Sequence, residues 1–190
     1  YIACEAVHRA GGRRYPEYSL SATVAGVRLT AVFDLLRVVP GERMVIYDWK
    51  TYSRTPPVGQ LRDRLQTRVY LSVLVSAGAA VFGAGVRPEQ VGFVYWIAGT
   101  GDVVEFEYDS EAYGRDRVFV ESLLGEVGGC FESGDWLLTE DVSRCRFCVY
   151  RSLCGRGDRP AVFDSNEIDK IAVSGVGEFA SLGDVDEVGF

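Results

Sequence analysis

Asp34, Asp48 and Lys50, followed by Gln66 and Tyr70, are the side chains of this 190-residue chain whose types and spacing suit a reaction. Two carboxylates, completed by water and a backbone carbonyl, make a hard oxygen shell of the kind Mg²⁺ or Mn²⁺ takes. Such an ion grips a phosphate, lowers the pKa of a bound water and neutralises charge developing on the phosphorus oxygens. An ammonium two residues along the strand adds compact positive charge at the same place. The chemistry expected is hydrolysis of a phosphodiester. Composition singles out the ammonium, because only Lys50 and Lys170 among twenty basic residues are lysines. The plain alternative is a surface ion pair between Asp48 and Lys50, which is common and worth little. It is disfavoured because Met44 to Trp49 is otherwise apolar on both faces and reads as a buried strand.

Positioning these groups needs a hairpin and a helix. Residues 27–38 and 43–51 are rich in β-branched and aromatic side chains and flank Pro40-Gly41, which predicts two antiparallel strands. A three-residue loop, Val39 to Gly41 with Gly41 left-handed, puts even-numbered residues of both strands on one face. Asp34, Asp48 and Lys50 then point the same way, whereas a two-residue turn sends Asp34 to the opposite face. Beyond Pro56-Pro57, the run from Gln60 to about Ala80 has helical spacing, with Leu61, Leu65, Val69 and Val73 as an apolar stripe. Arg62, Gln66 and Tyr70 form the neighbouring row, so the amide and the phenol reach one spot. They suit orienting a nucleotide or Lys50, while Arg62, Arg64 and Arg68 suit phosphates. The bland reading makes Tyr70 core and Gln66 solvated.

The order Asp34, then Asp48-Trp49-Lys50-Thr51, then Gln66-Thr67-Arg68-Val69-Tyr70 resembles the RecB-like branch of the PD-(D/E)XK nuclease superfamily over roughly residues 15–155. The resemblance implies an α/β, restriction-endonuclease-like core, a central mixed β-sheet flanked by helices. It implies Mg²⁺- or Mn²⁺-dependent hydrolysis of DNA, with Asp34 and Asp48 as metal ligands and Lys50 as the catalytic lysine. Members often carry a further glutamate, for which Glu17 in Tyr15-Pro16-Glu17-Tyr18 is the match. Some use an upstream histidine, and His8 is the sole histidine, read otherwise as a helical surface residue beside Arg9. Similarity to CRISPR-associated exonucleases and AddB-type nuclease domains implies action on single-stranded ends and a helicase or a CRISPR or repair protein as partner.

Cys145, Cys148 and Cys154 form a C-x2-C-x5-C triplet, close enough to imply a metal. A closed zinc site or a [4Fe-4S] cluster needs a fourth ligand, and Cys4 and Cys130 are the other cysteines. In the cluster-containing relatives that the resemblance points to, the triplet joins one cysteine upstream of the nuclease motifs, for which Cys4 is the candidate. Such a site is expected to be structural, clipping the ends of the domain together. Three free buried cysteines are the plain alternative. The unpaired odd cysteine argues for a reducing compartment.

Net charge is −7, which by itself argues against nonspecific DNA binding, yet residues 1–80 hold 11 basic and 6 acidic side chains and residues 81–190 hold 9 and 21. The nuclease motifs lie in the basic part, and residues 144–160 add five arginines against Asp158, so a basic strip is expected. Val91 to Ala98 and Val103 to Tyr108 read as strands joined by Gly99-Thr100-Gly101. Ser110 to about Phe131 reads as a helix with Ser110 as N-cap and Gly128-Gly129 fraying its end, and Trp96 and Trp136 read as packing. Residues 1–155 are expected to form the nuclease domain with its cysteine segment, and residues 156–190 a connector and acidic tail. The lack of an initial methionine suggests a natural start further upstream. No run is apolar enough to cross a membrane, the cytoplasm is the default, and no oligomeric state follows. A noncatalytic DNA-binding or partner-docking module on the same fold is the second reading.

Overall fold

The first third of the chain forms three antiparallel strands, one more than expected: β1 (Arg13–Val24), β2 (Val27–Val39) and β3 (Arg43–Lys50). The structure is a computed structural model that describes residues 11–82, 85–146 and 148–161. His8, Cys4 and most of the acidic tail therefore lie outside the described residues. A two-residue turn joins β1 to β2, with Ala25 (φ +48°) and Gly26 (φ +77°) both left-handed and Val24 paired with Val27. That turn type matches the twist of the strands, although Ala25 holds a conformation that costs an L-residue roughly 1–2 kcal/mol.

The β2–β3 loop has three residues, as expected, but one position later. Val39 pairs with Arg43, Gly41 is left-handed at φ +76°, and the Glu42 N–H donates to the Val39 carbonyl at 3.0 Å. Sliding a three-residue loop by one residue moves the pairing by two, so the faces are unchanged. Leu36, Val38, Met44 and Ile46 accordingly share the main core.

From β3 the chain crosses over to β4 (Val91–Ile97), which pairs parallel with β3, and a tight turn returns it as the antiparallel β5 (Asp102–Glu107). The sheet is mixed, in the order β1-β2-β3-β4-β5. A parallel neighbour requires a long crossover, supplied here by α1 (Val58–Arg62), α2 (Leu65–Phe82) and a short 3₁₀ turn at Pro88–Gln90. The expected single helix from Gln60 is thus two. Asp63 ends α1, its N–H bonded to the Gly59 carbonyl, and the buried side of α2 runs through Thr67, Leu71, Leu74 and Gly78. Of the anticipated stripe, Leu61 and Val73 are fully buried and Val69 packs against the core, so this row adds to it rather than replacing it.

Phe33, Leu36, Ile46, Phe93 and Tyr95 meet Leu71 and Leu74 in the main core, while Leu35, Val45, Tyr47 and Val94 form a smaller cluster with Trp49 and Trp96. The last helix, α3 (Ser110–Ser133), is capped by Asp109 rather than Ser110. The Asp109 Oδ1 accepts the Ala112 N–H at 2.7 Å, and the Ser110 hydroxyl instead donates to Glu89 at 2.6 Å. The helix also runs through Gly128-Gly129, ending where Gly134 (φ +76°) bonds back to the Cys130 carbonyl at 2.9 Å.

The described residues divide into two compact units after Gly125. The second holds the end of α3, a 3₁₀ turn at Val142–Arg146 and irregular turns to Ala161. There Trp136 is 57% exposed and meets Phe131 edge-on, so it is a surface residue and not core. Among the described residues, no helix is long and apolar enough to cross a membrane.

Candidate active site

The β2–β3 ladder ends at Leu35 and Tyr47, and a side chain takes over where the backbone pairing stops. The Asp34 Oδ2 accepts the Trp49 N–H at 2.8 Å, which fixes the carboxylate beside the strand segment that carries Asp48 and Lys50. Asp34 sits where the alternation of β2 skips a step. Phe33 and Leu36 both enter the main core, and across from Asp34 the β1 residue Glu17 has φ +47°. Such an irregularity re-aims a side chain at the end of a sheet.

Asp48 is buried, with 1% exposure. A buried carboxylate costs several kcal/mol unless charge and hydrogen bonds compensate. Both are present. The Lys50 Nζ lies 3.1 Å from Asp48 Oδ2, and the Gln66 Nε2 donates to Asp48 Oδ1 at 3.1 Å. Gln66, in the first turn of α2, also accepts from Lys50 Nζ at 2.9 Å and donates to the Tyr70 hydroxyl at 3.2 Å. The amide orientation follows from the partners, since its oxygen must face the ammonium and its nitrogen the carboxylate. Tyr70 is braced edge-on against Phe33 with centroids 5.2 Å apart.

Asp48, Lys50, Gln66 and Tyr70 are thus brought into one hydrogen-bonded group, with Asp34 on the adjoining backbone. Glu17 stands exposed on β1 opposite Asp34. Among the described residues, no three His, Cys, Asp or Glu side chains gather at one point, so Glu17 does not join Asp34 and Asp48 in a three-carboxylate group. Two carboxylates at one strand end, one aimed by a backbone amide and the other by Gln66, fit Mg²⁺ or Mn²⁺ as an all-oxygen donor set.

The arginines divide by role. Arg62 is exposed, its guanidinium 5.8 Å from the Phe106 ring centroid. Arg64 lies over the Tyr52 ring at 5.3 Å and donates to its hydroxyl. Arg68 faces α3, near Asp63 and Asp116 at 3.5 and 3.6 Å and 4.4 Å over the Phe119 ring. Burial, followed by the neighbouring charge of Asp116, raises the Tyr108 pKa, while burial raises that of Asp116 against the hydrogen bond it accepts from Tyr108 at 3.0 Å.

Below Lys50, Tyr95 pairs in register with Asp48, and its ring centroid is 6.0 Å from Lys50 Nζ. Burial, then the negative charge of Asp48, raises the Tyr95 pKa, so it remains a phenol. The loop after Lys50 rests on the β4–β5 turn. The Ala98 N–H donates to the Lys50 carbonyl at 2.7 Å, Thr55 bonds to Asp102 and Thr100, and a Cβ at Gly99 would collide with the Tyr52 carbonyl. Sequence reasoning missed Thr67 and Tyr95. A hydroxyl beside Gln66 and a tyrosine inside the apolar run 91–97 were the available signals.

In the second unit, Cys145 ends beside Arg156, whose Nη1 is 3.4 Å from its Sγ, Cys148 is half-buried and Cys154 exposed. These sulfurs are not gathered into a metal-holding group among the described residues.

A family model of the PD-(D/E)XK nuclease superfamily matches residues 2–155. The chain belongs to the PD-(D/E)XK nuclease superfamily. Its mixed five-stranded sheet with flanking helices is the restriction-endonuclease-like fold of that superfamily. No curated protein matches this chain. Among solved structures, the crystal structure of SSO0001 is similar at 14% identity and a TM-score of 0.46, over 79% of this chain. The chain spans 64% of the length of that protein.

Proposed function

We propose that this PD-(D/E)XK chain is a Mg²⁺- or Mn²⁺-dependent deoxyribonuclease of the RecB-like branch, acting as an exonuclease on single-stranded ends. The observation that carries the reading is the closed group in which Gln66 joins Lys50, Asp48 and Tyr70. Asp34 and Asp48 are the residues that would hold the divalent ion, which when bound supplies an activated water and stabilises charge on the phosphoryl oxygens. Lys50 presents its ammonium where negative charge grows as the phosphodiester is attacked. Gln66 keeps that ammonium from folding away and holds Asp48 with a neutral donor. Tyr70, braced by Phe33, fixes the amide. Arg62 and Arg64 suit the phosphates on either side of the scissile bond.

As one unit of function we take residues 1–155, with residues 156–190 as connector and tail, working in the cytoplasm beside a helicase or a CRISPR or repair protein. The cysteine triplet, with Cys4, is proposed as a structural [4Fe-4S] or zinc site. Metal and sulfide analysis of the anaerobically purified chain tests it.

The enzymatic reading is tested with end-labelled single-stranded DNA, duplex DNA and RNA in Mg²⁺, Mn²⁺ or chelator. Single-stranded DNA should be shortened from an end only with metal, and Lys50→Ala should lower the rate roughly 10²- to 10³-fold, the range for losing one transition-state donor. Equal rates for Lys50→Ala and wild type would refute the lysine's role.

A further inference from the structure

We propose that Thr67 and Tyr95 are positioning residues for the reaction. Their buried hydroxyls set the first turn of α2 so that Gln66 stands between Lys50 and Asp48. Thr67 and Tyr95 are 1% and 0% exposed. The Thr67 Oγ1 donates to the Leu61 carbonyl at 2.7 Å and lies 2.7 Å from the Tyr95 hydroxyl. A threonine hydroxyl has one proton. Since that proton goes to Leu61, Tyr95 must be the donor to Thr67, and the chain runs one way from Tyr95 through Thr67 to the Leu61 carbonyl.

Each end of this relay touches something the site needs. The Leu61 carbonyl belongs to the last turn of α1, where carbonyls have no partner within their own helix. The relay therefore ties α1 to α2 across the break at Asp63. Thr67 immediately follows Gln66, so fixing its hydroxyl fixes the turn that aims the amide. At the other end, the Tyr95 ring lies 6.0 Å beneath Lys50 Nζ and is wedged against Phe93 and Phe106 at 4.7 and 6.0 Å. One rigid aromatic thus supports the ammonium from below and, through Thr67, the amide from beside it. Neither residue touches the reacting atoms.

The inference rests on the nuclease reading, but it can fail separately. The chain has only two lysines, so protein grown on lysine labelled at Cε gives two methylene signals, and Lys170→Arg assigns the one from Lys50. That signal reports the position of Lys50 over the Tyr95 ring whether or not the protein cleaves anything. Thr67→Val keeps the shape and removes the relay, Tyr95→Phe keeps the ring and removes its proton, and Thr67→Ser restores the hydroxyl.

In Thr67→Val and Tyr95→Phe the Lys50 signal should move. On single-stranded DNA with Mn²⁺, kcat should fall roughly ten- to a hundredfold with KM within about threefold, the scale on which small misplacements act. Thr67→Ser should return the signal and most of the rate. A folded Thr67→Val or Tyr95→Phe protein with an unmoved Lys50 signal overturns the proposal, as does an unchanged kcat or a fall in rate without a moved signal. If only one of the two variants folds, it decides. If neither folds, the hydroxyls are needed for stability and the positioning role is lost. Should wild type cleave no substrate, the nuclease reading fails while the Lys50 signal still decides the relay.

Discussion

The amide of Gln66 offers one acceptor and two donors, and Lys50, Asp48 and Tyr70 engage all three. Neither a carboxylate nor an aliphatic chain of similar length can do this, because the carboxylate lacks the donors and the aliphatic chain lacks both. Replacing Gln66 by Leu leaves Asp48 Oδ1 buried without its donor, a change that costs about 1–3 kcal/mol. Urea unfolding of Gln66→Leu should show that loss. An unchanged midpoint would mean that water serves Asp48 equally well. The residue types at this scale were legible in the sequence because chemistry constrains them. Thr67 and Tyr95 were not, because a buried hydroxyl can be told from a solvated one only when its partner in the fold is known.

At the scale of elements, local pattern carried the β2–β3 hairpin, where Pro40-Gly41 marks the turn and face parity survives a one-residue slip of the loop. It failed for β1, in which Pro16 and the irregularity at Glu17 interrupt the alternation. It failed again at Asp63, because Leu61 and Leu65, spaced by four, continue the helical pattern across the break. The β1–β2 turn gives a direct test. Ala25→Asn keeps the left-handed turn with a residue that tolerates it and should raise stability by about 1 kcal/mol in thermal or urea unfolding. No gain would indicate that the turn relaxes freely.

The contact between α2 and α3 makes a second test through Asp116, which faces Arg68, Tyr108, Asp63 and Arg115. Its folded-state pKa is raised, so between the ordinary carboxylate value of about 3.9 and the higher folded value the folded protein holds a proton that the unfolded chain has released. Stability from this group is full below that window and is lost as pH rises through it. Asp116→Asn should flatten that part of the stability profile, and an unaltered slope would assign it to other carboxylates.

Across the whole molecule the charge of −7 conceals an uneven distribution, with a net positive residues 1–80 that contain the site. Affinity for single-stranded DNA should therefore fall with salt, by a slope of about 0.7 in log K per log salt for each phosphate neutralised. Arg62→Ala should reduce the slope by about one such contact, and a flat response in wild type would remove the basic stretch as the DNA-facing surface.

The bare backbone at Gly99 extends the vulnerable region well past the reacting groups. Its turn is the floor on which the segment after Lys50 lies, and the neighbouring Ala98 amide grips the carbonyl of the lysine itself. A single methyl inserted at position 99 acts as a wedge, prising that segment upward and loosening the end of β3. On the proposed reading, Gly99→Ala should lower the cleavage rate from a hairpin tip 49 positions along the chain from Lys50, with every side chain of the site left in place.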